Sequence, residues 1–358
     1  MEMKKIIRSP NTSVSMLMDR IRKVFRKLLK LSVYWCKNPS GISQGIIFFP
    51  TQNTVIGCGL AGILAVKRAR ETELSTDIGQ LGKMADTVCN GRFDICREQK
   101  LSFSDHYLGG QTLLERLMTT ACSLKKTFCF YKIFQDSGGQ EQIANIAGAL
   151  SNLADKETDK LRNQVGFLAS QDVEIVSNRI DQLKDIAWCL RMEVTENVKK
   201  VAGLLSGSPL DYTPERVAVF SRINAVLNSL DRLEVRGRDS AGISLMFILP
   251  GEEYRNFQEK LENYGNPENL KTQFRRRMEN DVLLNRDISL HECNEPGGNA
   301  VGMTLTYKVA AEIGNLGDNI KFLRKQISED PILHLLASCS HEFHTISAHT
   351  RSEERRVG

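Results

Sequence analysis

Arg232-Leu233-Glu234-Val235-Arg236-Gly237-Arg238-Asp239-Ser240-Ala241-Gly242 is the stretch from which the fold is read. Gly237 and Gly242 supply backbone angles that side chains disfavour, and Asp239 is expected to cap the turn between them. A helix pattern runs into this stretch. Thr213 caps it, and Pro214 occupies the first helical position, where a missing N–H is not needed. Val217, Phe220, Asn224, Leu227 and Leu230 follow at helical spacing, to about Glu234. Beyond the stretch, residues 243–249 form an apolar run closed by Pro250-Gly251, which reads as a strand. The segment is a helix-to-strand turn.

Two other segments share its glycine-rich or strand-like character. Upstream, residues 55–66 are apolar and punctuated by glycine, with Cys58-Gly59-Leu60-Ala61-Gly62-Ile63 at their centre, and read as a buried strand approached closely by another group. Downstream, Ile346-Ser347-Ala348-His349-Thr350-Arg351 ends a strand that starts near His344. A strand over 304–309 and a helix capped by Asp318, through Ile320, Leu323 and Ile327, lie between. Residues 141–205 carry apolar side chains at three- and four-residue steps and predict amphipathic helix, in a hairpin or as a partner-binding coiled coil. Residues 67–140 show no clear period, and 252–285 read as an exposed, charged helical excursion. His341, His344 and His349 fit no standard zinc spacing. Residues 345, 347 and 349 share a strand face, so these histidines are expected to be structural or exposed, with no metal and no cofactor.

The chain's 41% hydrophobic and 25% charged residues are ordinary for a water-soluble fold. Its net charge of +5 is concentrated: residues 1–37 hold ten Lys or Arg against Glu2 and Asp19, and the remainder is slightly acidic. That excludes a nucleic-acid-binding body. Nine scattered cysteines without a CxxC suit a reducing, cytoplasmic compartment. No apolar run is long enough to span a membrane. Residues 14–31 form a basic amphipathic helix with three open readings: a membrane-surface or targeting helix, a removable pro-segment, or upstream sequence joined by a wrong start or splice.

Taken in order, the segments at 58–63, 232–242 and 346–351 resemble the class II glutamine amidotransferases, which begin on a Cys-Gly-(Ile/Leu)-x-Gly strand whose cysteine becomes the mature N-terminus. The Arg-Gly-x-Asp-Ser-Ala-Gly turn and the Ala-His-Thr-Arg strand are most similar to the glutamine–fructose-6-phosphate aminotransferases, which make glucosamine 6-phosphate for hexosamine biosynthesis. Amidophosphoribosyltransferase is the alternative within the class. A non-catalytic scaffold on a vestigial amidotransferase fold is the alternative outside it, and mass spectrometry of the native N-terminus discriminates. The resemblance covers residues 55–66, 214–250 and 300–351. It implies an α+β fold, the N-terminal-nucleophile (Ntn) hydrolase α/β/β/α sandwich, here incomplete and interrupted by a large helical insertion over about 67–213. Residues 1–54 are then a basic leader or pro-segment.

The chemistry of Cys58 is direct. A free thiol titrates near about 8.5 and is mostly protonated at neutrality. An α-amino group titrates at about 7.7–8.0 and is a serviceable base. One residue carrying both has a nucleophile and its proton acceptor at fixed short range. The thiolate would attack the glutamine side-chain amide, ammonia would leave, and the glutamyl thioester would be hydrolysed. This requires cleavage before Cys58, because an amide nitrogen is not a base. The resemblance implies that Arg351 grips the glutamine α-carboxylate with its planar fork, that His349, Thr350 and Arg236 also line the glutamine site, and that Gly237, Asp239, Ser240 and Gly242 shape the turn. It implies a sugar-phosphate acceptor served by C-terminal isomerase domains, and homo-oligomers at full length.

Three departures shape the expectations. Val235 and Arg238 replace the family's usual aromatics. Cys58 and Arg236 lie 178 positions apart, where the family has a short connection. The inserted block is expected near the glutamine pocket, covering it or recruiting a partner. After Arg351 the family motif gives way to Ser352-Glu353-Glu354-Arg355-Arg356-Val357-Gly358, which resembles a translated sequencing adapter. Residues 352–358 are therefore expected to be non-native, and this polypeptide is expected to hydrolyse no glutamine. Ammonia release by the purified chain would refute that expectation.

Overall fold

The computed structural model describes residues 59–66, 78–235, 239–264, 267–279, 285–295, 298–310 and 315–351. Its architecture is mixed α and β. Five antiparallel strands form one sheet in the order β1-β5-β2-β4-β3: β1 (Gly59–Val66), β2 (Ser240–Pro250), β3 (Asp287–Glu295), β4 (Gly298–Ala310) and β5 (Phe343–Arg351). Ile63, Ile346, Leu245 and Leu305 form one cross-strand row, and each is buried. Period-two alternation assigns such rows to a single face. In β5 the side chains of 344, 346, 348 and 350 are buried while 347, 349 and 351 are exposed.

The buried face packs on helices. Helix α9 (Pro214–Leu233) crosses β1 and β5, α10 (Gly251–Asn263) and α12 (Asp318–Ser328) cover β2 and β4, and α13 (Pro331–Ala337) follows α12. Helix α9 starts as expected: Thr213 Oγ1 accepts the Arg216 N–H at 3.3 Å, with Pro214 at the first turn. Asp318 does not cap α12. Gly317, at φ 93°, holds that position, and the Asp318 carboxylate instead accepts the Asn315 N–H at 2.9 Å. The 252–285 region is less exposed than its charge implies. It contains α10 and α11 (Pro267–Met278), whose Phe257, Leu261, Leu270 and Phe274 are buried. Strand β3 follows, hidden in the sequence by polar residues such as His291 and Glu292.

Residues without a visible period are helical from residue 78 onward. Helices α1 (Ile78–Asn90), α2 (Phe93–Glu98), α3 (Phe103–His106), α4 (Gln111–Ser123) and α5 (Thr127–Gln135) are short and broken at Gly91 and at Gly109-Gly110. Both latter glycines have φ near +80°, a conformation that terminates helices. The predicted hairpin is α6 (Ser137–Gln164) packed on α7 (Ser170–Trp188), which runs through a π-helical segment at Cys189–Thr195 into α8 (Glu196–Leu205). No helix among the described residues is long and apolar enough to cross a membrane.

Candidate functional site

The three segments singled out in the sequence meet at one end of the sheet. Gly59 pairs with Thr350, and Thr350 pairs with Ala241 on its other side. One residue further along, Ser240 pairs with Arg351. The Asp239 N–H donates to the Arg351 carbonyl at 3.1 Å, so the turn is closed by the end of β5. On the helix side of this turn, buried Glu234 accepts the Gly317 N–H at 2.6 Å, fixing the end of α9 to the start of α12. Cys58, Arg236, Gly237 and Arg238 lie outside the described residues.

Gly242 lies in the regular pairing of β2 and does not take the unusual backbone angle expected of it; it is required instead by its neighbour. A Cβ there would stand 2.8 Å from His349 Cε1, so the absence of a side chain makes room for the imidazole across the strand. Leu60, His349, Gly242 and Lys308 form one cross-strand row on the exposed face. The His349 imidazole is held below its usual titration range, first by partial burial and then by the positive charges of Lys308 and Arg351. A neutral ring flanked by two cations gives this corner a positive field with one uncharged donor–acceptor group. Lys308 was not singled out in the sequence, although the alternation of 304–309 places it on the same face as Thr304 and Thr306.

Thr350 faces the other way. It is fully buried, and its Oγ1 has no hydrogen-bond partner among the described residues. A buried hydroxyl without a partner costs about 1–3 kcal/mol, and this one lies on the face opposite the exposed His349 and Arg351.

The other histidines are not part of this corner. His344 is buried under the sheet, stacks on Phe247, and shares a 2.9 Å hydrogen bond with the half-buried His341. Among the described residues no group of three His, Cys, Asp or Glu side chains is arranged to hold a metal ion. The helical block lies on the helix side of the sheet. It packs through α5 and α8 against α9 and α12, not over the His349, Lys308 and Arg351 face. Polar contacts tie it there: Asn197 Oδ1 accepts from Asn224 and Asn228 at 2.9 and 2.8 Å, and Asn228 Oδ1 accepts from Lys200 at 3.1 Å. Comparison with protein-family models, curated proteins and solved structures finds no match to this chain.

Proposed function

We infer that this chain carries the glutamine site of a class II amidotransferase of the hexosamine-6-phosphate-forming kind, with Cys58 as nucleophile. One observation carries the inference: strand pairing joins residue 59, the turn before Gly242 and the strand ending at Arg351, although these segments are remote in sequence. Independent motifs have no reason to share one sheet corner, whereas parts of one site must. Cys58 is bonded directly to Gly59, the residue paired with Thr350. The positive field of Lys308 and Arg351 suits an α-carboxylate, and the exposed His349 suits a polar amide. In this reading the five-stranded sheet is one half of the α/β/β/α sandwich.

The test uses the full-length protein in which Cys58 is the mature N-terminal residue. Glutamine-dependent ammonia release is expected, and Cys58→Ser or N-acetylation of Cys58 should abolish it. Release that survives both changes would remove Cys58 from the mechanism. Delivery of the ammonia to fructose 6-phosphate, and not to a phosphoribosyl acceptor, distinguishes the hexosamine reading from the purine one.

A further inference from the structure

Three helices meet at a cluster of amides where the helical block joins the helix layer of the sheet. Asn197 and Lys200 stand one turn apart on α8, and Asn224 and Asn228 one turn apart on α9, so each pair projects from one side of its helix. Asn197 Oδ1 accepts the amide groups of both α9 residues, which leaves Asn228 Oδ1 turned away from them. That one oxygen accepts two cations, Lys200 Nζ at 3.1 Å and the Arg324 guanidinium of α12 at 2.9 Å. Two positive charges therefore stand side by side on a single neutral atom.

Negative charge is what the cluster lacks. Other partly buried cations among the described residues meet carboxylates: Lys125 meets Glu193, Lys160 meets Asp94 and Glu157, and Arg277 meets Asp330. No carboxylate of the described residues forms an ion pair with Lys200 or Arg324. Burial holds the Arg324 guanidinium below its ordinary range, and the exposed Asp231 opposes that only from beyond ion-pair distance. An amide dipole satisfies two donors but does not neutralise two charges, and like charges this close repel. The amide network is also one donor short: Asn224 is 2% exposed, and its Oδ1 has no partner among the described residues.

We propose that Lys200 and Arg324 form a phosphate-binding site, occupied by inorganic phosphate or by the phosphate group of a small monoester. A phosphate group carries about −1.5 to −2 charge at neutral pH, with several strong acceptor oxygens. One such group neutralises both cations, whereas a single carboxylate leaves one uncompensated. The planar fork of Arg324 suits two of those oxygens, and the Lys200 ammonium acts on another as a point charge. Asn228, itself held by Asn197, sets the two cations at matching positions before anything binds. Both cations are half-buried, neither sealed from solvent nor fully screened by it. Lys200 belongs to the helical block and Arg324 to the helix layer, so the bound anion ties the two together.

The test is isothermal titration calorimetry of the intact chain at neutral pH and constant ionic strength. Inorganic phosphate and glycerol 3-phosphate are titrated separately, and one saturable site that takes either probe is expected. Equal affinities assign the phosphate group alone as the ligand, and tighter binding of the ester assigns a phosphorylated small molecule. Lys200→Met and Arg324→Met should each weaken binding about tenfold or more, the loss of one charge-assisted hydrogen bond. Lys200→Arg should retain binding, and Lys199→Met, on the exposed neighbour, should leave it unchanged. Absence of saturable binding would overturn the proposal. Binding that persists in both methionine variants would mean an adventitious ion only, and would overturn it too. Loss of binding in Lys308→Met in their place would assign the anion to the sheet corner, with the same consequence. Lys200→Met decides the matter if Arg324→Met does not fold.

Discussion

Asp330 is the most heavily engaged carboxylate of the helix layer, and replacing it with alanine is expected to cost about 3–5 kcal/mol of stability. Its side chain is 1% exposed. One oxygen accepts the N–H groups of Ile332 and Leu333 at 3.0 and 3.3 Å, capping α13. The other accepts the Tyr307 hydroxyl at 2.7 Å and stands 2.8 Å from the Arg277 guanidinium. Loss of the cap alone is worth about 1 kcal/mol. Leaving the fully buried Tyr307 hydroxyl unpaired is worth about 1–3 kcal/mol. Stripping a mostly buried arginine of its partner contributes further, and because the same oxygens serve several groups the losses overlap instead of adding. Asp330→Asn keeps an oxygen for the cap and should lose about half as much. Urea unfolding followed by far-ultraviolet circular dichroism, with stabilities compared at the wild-type midpoint, measures both. A loss under about 0.5 kcal/mol for Asp330→Ala, the level of a surface substitution, would show that the carboxylate does not join α13, β4 and α11.

Acid sensitivity follows from two buried histidines. Burial, reinforced by Arg222 and His341, holds His344 down at about 2, and burial with help from Arg216 holds His334 at about 4. The unfolded chain takes up protons near pH 6.5 while the folded one does not, so stability is full above that pH and falls as pH drops toward 4. The slope approaches about 1.4 kcal/mol per pH unit for each group. Denaturation midpoints between pH 7 and 4 check this, and a flat profile in His334→Gln/His344→Gln beside a sloped wild type is the expected pattern. Lys308→Met should raise the His349 titration midpoint in an NMR pH series, since one of the charges depressing it is gone. An unchanged midpoint would separate the two side chains. Thr350→Val should leave the melting temperature unchanged or raise it, because it removes a buried hydroxyl that has no partner among the described residues. A fall in melting temperature by differential scanning fluorimetry would show that the hydroxyl has a partner in solution.

The parts of the fold that were legible in the sequence carry strong local chemistry. Thr213-Pro214 announces α9 through a cap and a tolerated proline, and the apolar run before Pro250 announces β2. What escaped was set by tertiary context. Helices α2, α3 and α5 are too short for a period to accumulate; α1 and α4 do bury Leu81, Met84, Ala85, Val88 and Leu114, Leu117, Ala121 at helical steps, a period that the short helices between them obscured, and β3 is an edge strand whose polar residues mask its alternation. Asp318 looked like a cap because capping depends on backbone angles that residue type signals only in part, and Gly317 takes the left-handed position instead. Strand order was not legible locally either. Nothing near residue 59 or residue 350 says that they pair. The position of the helical block behind α9 had no sequence signal, because the contacts of Asn197 and Lys200 with Asn224 and Asn228 are ordinary polar pairs until their spacing in three dimensions is known.

The amidotransferase chemistry depends on Cys58, the residue that precedes β1. The most direct measurement is intact-mass and N-terminal peptide analysis of the full-length mature protein, made on the same preparation that is assayed for ammonia release from glutamine. The account predicts an active preparation whose chain begins at Cys58 with a free amino group. An active preparation whose chain still begins at Met1 would contradict it.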